Sequence, residues 1–360
     1  MEILNRIKLH HLFLIIIFLI ALILRLWYSG VGLPDYWGDS YHNYYIVKAT
    51  LENGLIYDDF KMNHFLWLPG FHYLGVLGMI LLGDSLFVLH LINQIIGSIC
   101  AVLVVDILFR VFKNHFIAVT SSFALFLAPW HIMYSTMFMP ECWAGLCLLL
   151  MIRGWVVNSE IQFQGAWLLG IISRYELWFF GGLLVLLTSV HSKSDIKKER
   201  ILYSTIIFCI WILLWSLWSR LGVGEGSYWL QTRISVIAWD RLFLGVEHTI
   251  FGGFSMYFTW IGYTLGLLGG ILALFTIIIR FKSSLINQND EKTAEENHII
   301  PLVNEERFLI VITAIVLIRI FTLIVFTLVP VNDPRYVLID LHLVVLLIPG
   351  WLYFVTGFKE

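Results

Sequence analysis

Charge is what this sequence most lacks. Only 13% of its residues are charged and 59% are apolar, for a mean hydropathy of +0.83, whereas a soluble domain carries about 25% charged residues. A water-soluble fold does not fit. A net charge of −2 leaves no basic stripe for nucleic acid, and only four cysteines, without zinc-finger or ribbon spacing, argue against those modules as well. Cys100, Cys142, Cys147 and Cys209 lie in or beside apolar runs, where they behave as small hydrophobes rather than a disulfide framework. No clear internal repeat or low-complexity tract is visible, so the inverted-repeat transporter architecture gains no support.

What the chain has in quantity is apolar runs. The first, Leu9 to about Tyr28, follows Arg6 and Lys8 and approaches the roughly 20 residues that cross the hydrocarbon. It is followed by Arg25, Leu26, Trp27 and Tyr28 rather than by a small-residue cleavage site, and reads as a retained signal anchor. Further runs near 86–109, 115–130, 142–157, 163–173, 177–190, 201–219, 255–279, 308–329 and 336–357 predict an all-α polytopic membrane protein of about ten transmembrane helices, residues 1–360 forming one domain. The stretch 65–82 is apolar too, but short and broken by Pro69, Gly70, Gly75 and Gly78.

The side taken by that stretch decides the topology. If 65–82 stays on the outer surface as an interfacial helix, Arg6, Lys8, Arg110, Lys113, Arg153 and the Lys193 to Arg200 group all become cytoplasmic, as the positive-inside rule requires. If it crosses, Arg110, Lys113 and that dense group move outside. The first choice is therefore adopted. Both termini are then expected in the cytoplasm, with outer loops at 30–85, 131–141 and 222–254, a short outer turn at 330–335, and a polar cytoplasmic linker at 283–306.

Several polar residues then share the outer face. Asp39 precedes an expected interfacial helix with Tyr41, Tyr44 and Tyr45, where a carboxylate either caps the helix or stands ready at the water edge. Glu141 follows Pro140 at the outer start of a span, a pattern that also describes an ordinary helix N-terminus. Arg174, Tyr175 and Glu176 interrupt an apolar region, and Asp333, Arg335 and Tyr336 precede the last run. An arginine costs about 2.5–3.5 kcal/mol at the bilayer centre on insertion scales, so each should reach water, a carboxylate or a phosphate. Arg25 is expected to snorkel to the outer end of its span, and Arg319 has no evident partner. Asp39, Glu141 and His64 could supply ligands to a divalent ion, although no HxxxH or HExxH pattern supports one.

In order and spacing these features resemble the GT-C superfamily of membrane glycosyltransferases, which includes protein O-mannosyltransferases and aminoarabinose transferases. The likeness runs from Leu24, Arg25 and Leu26, through Asp39 and Tyr44, to the short helix entered by His64 to Gly70, then Glu141 and finally Arg335 with Tyr336. Ser40 stands where many members carry a second acidic residue, and only Pro69 remains of the usual proline pair. The resemblance implies an outer or lumenal site, in the plasma membrane or endoplasmic reticulum. There a sugar would move, with inversion, from a polyprenyl phosphate such as dolichyl or undecaprenyl phosphate to a protein, lipid or glycan hydroxyl. It implies Asp39 as catalytic base, Glu141 as its companion, Arg335, Arg174 and Tyr336 at the donor phosphate, and Tyr44, His64 and Glu176 lining the pocket. The competing expectations are a transporter or flippase of a lipid-linked or anionic solute, and a non-catalytic scaffold on the same fold.

Overall fold

The computed structural model describes residues 2–30, 38–54, 56, 67–190, 194–223, 264–279, 304–325 and 335–351. They form α1 (Glu2–Gly30), α2 (Gly38–Asn53), α3 (Pro69–Leu82), α4 (Leu86–Phe112), α5 (His115–Phe126), α6 (Pro129–Thr136), α7 (Pro140–Val156), α8 (Glu160–Ile171), α9 (Glu176–Val190) and α10 (Ser194–Val223). Helices α11 (Thr264–Ile279), α12 (Asn304–Val325) and α13 (Arg335–Val344) follow, α13 running into a 3-10 turn at Val345–Leu347. No strand occurs among the described residues.

Local chemistry sets the helix ends. Ser85 and Asn114 cap α4 and α5 by accepting from the amides of Val88 and Ile117, and Ser159 caps α8 by accepting from Gln162. Proline opens α3, α6 and α7, where its missing N–H is no loss. Pro129 also ends the helix before it, so that α5 and α6 meet at 63°.

Helix α4 is the centre of the bundle, packed by α1, α5 and α7. Of its apolar window 67% is buried, against 17% for His10–Gly30 and 11% for Ile196–Leu221, whose Ile15, Ile23, Leu213 and Leu214 are left exposed. In water that exposure would be untenable; in lipid it is the expected outer surface.

Three described helices are long and apolar enough to cross a membrane, His10–Gly30, Leu86–Phe112 and Ile196–Leu221, and the bent α5–α6 pair would make four. The all-helical membrane architecture expected from composition is present. Of the runs expected to cross, those at 142–157, 163–173 and 177–190 fold as shorter helices of 17, 12 and 15 residues, or about 25, 18 and 22 Å against a hydrocarbon core of about 30 Å. Helix α3, at 14 residues, is shorter than a span as well, and it exposes Leu77, Ile80, Leu81 and Leu82 along one side.

Two expectations need correction. Residues 131–141 are no simple outer loop, because α6 folds inward and buries His131 completely. Arg25 does not snorkel either: it is fully buried, donating to Ser135 Oγ (2.7 Å), the Ala21 carbonyl (2.8 Å) and His131 Nδ1 (2.6 Å). These partners replace the water it would otherwise seek. The close approach behind this needs glycine. A Cβ on Gly97 would lie 2.5 Å from Ser135 Cβ and 2.9 Å from Arg25 Nε, and one on Gly145 would lie 2.4 Å from the His342 ring.

Gly145→Ala should therefore destabilise by about 1–3 kcal/mol despite alanine's better helix propensity. Gly165→Ala, at a helical glycine with open space around it, should be neutral or stabilising. Thermal midpoints in detergent compare the two.

Candidate functional site

At the end of the bundle where α4 begins, the non-helical residues 137–139 join α6 to α7. Their peptide groups lie in the interior, beyond the reach of water, and three polar side chains satisfy them. Ser40 Oγ accepts from the Phe138 amide (3.0 Å) and Asn43 Nδ2 donates to the Phe138 carbonyl (3.1 Å). Asn93 Nδ2 donates to the carbonyls of Tyr134 (2.8 Å), Met137 (2.5 Å) and Met139 (3.1 Å), sharing two hydrogens among three acceptors. His72 Nε2 donates to Asn43 Oδ1 (3.0 Å) and so fixes the asparagine's orientation. Phe71 stacks on Phe138 with centroids 4.3 Å apart. Both backbone groups of Phe138 are thus held by α2, the helix that carries Asp39 in its first turn.

Two residues beyond that segment, Glu141 occupies the first turn of α7 and is 1% exposed. The positive end of the helix favours its carboxylate. Arg174, in the turn between α8 and α9, reaches it through Nη1 at 3.4 Å and grips Glu176 with Nη2 (2.8 Å) and Nε (3.1 Å). The turn is anchored on both sides: the Gly70 amide donates to the Ile172 carbonyl (2.8 Å), and Trp143 Nε1 donates to Ser173 Oγ (2.9 Å). Two carboxylates and one guanidinium thus meet at the N-termini of α7 and α9. Every nitrogen of the Arg174 fork already faces a carboxylate.

An aromatic wall stands beside this set. Trp215 is 1% exposed, packs with Ile46, Ile56, Leu68, Trp67, Tyr175 and Trp178, and donates from Nε1 to Tyr175 Oη (3.3 Å). Trp211 stacks on Trp215 at 5.5 Å. Tyr44 lies apart from the wall, on an exposed edge, donating to Asp84 Oδ1 (3.4 Å), with Lys48 Nζ 3.4 Å from the other carboxylate oxygen. Burial, then the Asp84 carboxylate, hold the Tyr44 phenol above its ordinary pKa, and Asp84 does the same for the Lys48 ammonium.

The residues singled out in the sequence therefore separate into groups. Glu141, Arg174 and Glu176 form one contact set, and the Phe138 latch ties Asp39's helix to it. Arg335 and Tyr336 open α13, but their side chains, and the whole of His64, lie outside the described residues. Asn43, Asn93 and Trp215 were not singled out. Asn93, next to Gln94 inside a long apolar run, was the one signal available, since polar residues at membrane depth demand partners.

Below this layer, Cys100 Sγ and one ring nitrogen each of His131 and His342 lie within 4.8 Å of one another. That is close enough for a metal, but the proton placement argues against it. Arg25 can only donate, so His131 accepts at Nδ1 and carries its proton on Nε2, which faces His342 Nε2 at 3.2 Å. A metal at that nitrogen would need the lone pair the proton occupies. The set fits a hydrogen-bond chain, Arg25 to His131 to His342. Of Asp39, Glu141 and His64, the three considered for a divalent ion, Glu141 sets Oε1 3.4 Å from Arg174.

Asn93→Ala would strand the buried Tyr134 and Met139 carbonyls, that of Met137 keeping the Met139 amide (3.0 Å), and should lower stability by about 2–3 kcal/mol. Phe87→Ala on the same helix, at a side chain 62% exposed, should change the melting midpoint in detergent little. The chain matches no family model, and no curated protein or solved structure shows significant similarity to it.

Proposed function

We propose that this chain is a membrane glycosyltransferase of GT-C type, crossing the bilayer about ten times and moving a sugar from a polyprenyl phosphate to an acceptor hydroxyl. Its site would face the outer or lumenal side of a plasma membrane or endoplasmic reticulum. The observation that carries the reading is the Ser40 and Asn43 latch on Phe138, which draws Asp39's helix to the segment entering Glu141's helix. The half-buried Trp67, Tyr175 and Trp178 beside Trp215 support it, as flat apolar faces suited to a sugar ring or a prenyl chain.

In this mechanism Asp39 takes the proton of the acceptor hydroxyl. That oxygen attacks the anomeric carbon while the bond from carbon to phosphate oxygen breaks, and polyprenyl phosphate leaves as an anion. The leaving group needs no proton, so no general acid is required. Positive charge must receive the phosphate, and Arg335 is the candidate, with Tyr336 beside it. Glu141 orients the acceptor, while Arg174 holds Glu141 and Glu176 in place and joins the phosphate only if one carboxylate releases it. Tyr44 and His64 belong to the approach from the 30–85 segment.

One observation favours transport of a lipid-linked or anionic solute instead: the deeply buried Arg25, His131 and His342 chain, polar where a transport path would need polarity. Its members bond to one another and to α1, which also suits a structural clasp. A scaffold without activity is the third reading.

A transfer assay with radiolabelled polyprenyl-phosphate sugars separates these readings. Asp39→Asn should abolish transfer while leaving insertion and donor binding intact; unchanged transfer sinks the assignment of the base. Because Glu141 is held by Arg174 rather than offered to a cation, transfer should persist in excess EDTA. A loss restored by a divalent ion would show a metal at the site instead.

A further inference from the structure

At the opposite end of α4 a second polar cluster forms, which the proposed reaction does not use. Asp106 is 3% exposed. Its Oδ1 accepts from His10 Nε2 (2.9 Å), and its Oδ2 accepts from Arg110 Nε (2.8 Å) and Arg153 Nε (2.6 Å). Arg153 Nη1 continues to Gln162 Oε1 (2.5 Å), and Gln162 Nε2 to the Leu150 carbonyl (3.1 Å). One carboxylate thus faces two permanent cations, leaving a net positive charge.

Both arginines meet Asp106 through Nε, the base of the fork. Arg110 Nη1 and Nη2, and Arg153 Nη2, find no acceptor among the described residues. The two side chains remain 39% and 28% exposed, and they border a cleft of about 320 Å³ whose other walls include His11, Leu14, Val102, Leu103 and Leu150. The cleft pairs guanidinium donors with aliphatic walls. A small soluble anion would gain nothing from Leu14, Val102, Leu103 and Leu150, whereas a lipid presents a phosphate and a hydrocarbon chain at the same spacing. Arg110 and Arg153 lie in the last turns of α4 and α7, the depth at which inner-leaflet headgroups sit if basic ends face the cytoplasm.

We propose that this cleft binds an anionic glycerophospholipid of the cytoplasmic leaflet, its phosphate on the forks of Arg110 and Arg153 and an acyl chain along Leu14, Val102, Leu103 and Leu150. The proposal is independent of the sugar-transfer reading, since it concerns the other end of the bundle and predicts binding alone. Asp106 and His10 hold the arginines in position; the forks make the contact.

Native mass spectrometry of the full chain in detergent tests it, with phosphatidylglycerol and phosphatidylcholine of identical acyl chains as probes. Phosphatidylglycerol should be retained at least about fivefold more strongly, the equivalent of about 1 kcal/mol for one basic side chain near a lipid headgroup. Arg110→Gln should erase that preference while Arg153 still neutralises Asp106 and His10 keeps its hydrogen bond to it. Val102→Trp, which fills the groove and keeps the charges, should lower retention of both lipids. Equal retention of the two lipids by the unaltered protein would overturn the proposal, whatever the variants do. So would an undiminished preference in Arg110→Gln, or displacement of phosphatidylglycerol by millimolar inorganic phosphate, which would mark a free-anion site.

Discussion

In a membrane interior no water completes the hydrogen bonds of a non-helical backbone, so every break in a helix must be answered by side chains. The break at residues 137–139, between α6 and Pro140, is where this fold meets that demand most heavily. Ser40, Asn43 and Asn93 converge on it from α2 and α4, and His72 steers Asn43 from α3. The same contacts that satisfy Phe138 draw the surface helix α2 onto the start of α7. The helix that carries Asp39 is thereby tied to the segment that precedes Glu141.

The buried charges follow the same logic. Glu141 and Glu176 share Arg174; Arg25 is closed by Ser135, His131 and a backbone carbonyl; near the end of α4, Asp106 takes two arginines and a histidine. Each charge has a partner, and each set crosslinks helices far apart in sequence. Glycines at 97 and 145 let the Arg25 set close. At the far end of α4 one carboxylate faces two guanidinium groups, and this excess of positive charge underlies the proposed lipid cleft.

Much of this was legible in the sequence, for identifiable reasons. Hydropathy exposes apolar helices, and the Pro140–Glu141 pair announces a helix start, which is where α7 begins. Arg174 and Glu176, two residues apart, carry their own pairing. Span length was less legible, because apolar runs at 142–190 mark buried surface without telling a full crossing from helices of 12 to 17 residues. Least legible were long-range partnerships. Arg25 looked close enough to the outer end of its span to reach water, and only the fold shows that it meets His131 and Ser135, more than a hundred residues away. The partners of Asn43 and Asn93 were hidden for the same reason, since their acceptors are backbone carbonyls that no side-chain pattern records.

The account turns on whether α2 truly closes over Phe138, and hydrogen exchange across residues 137–142 measures this directly. Protection of the Phe138 amide in the unaltered protein, reduced about tenfold by Ser40→Ala as expected for one buried hydrogen bond, is the predicted result. A Phe138 amide that exchanges freely, or one whose protection is indifferent to Ser40→Ala, would contradict it and with it the tie of Asp39's helix to the segment that precedes Glu141.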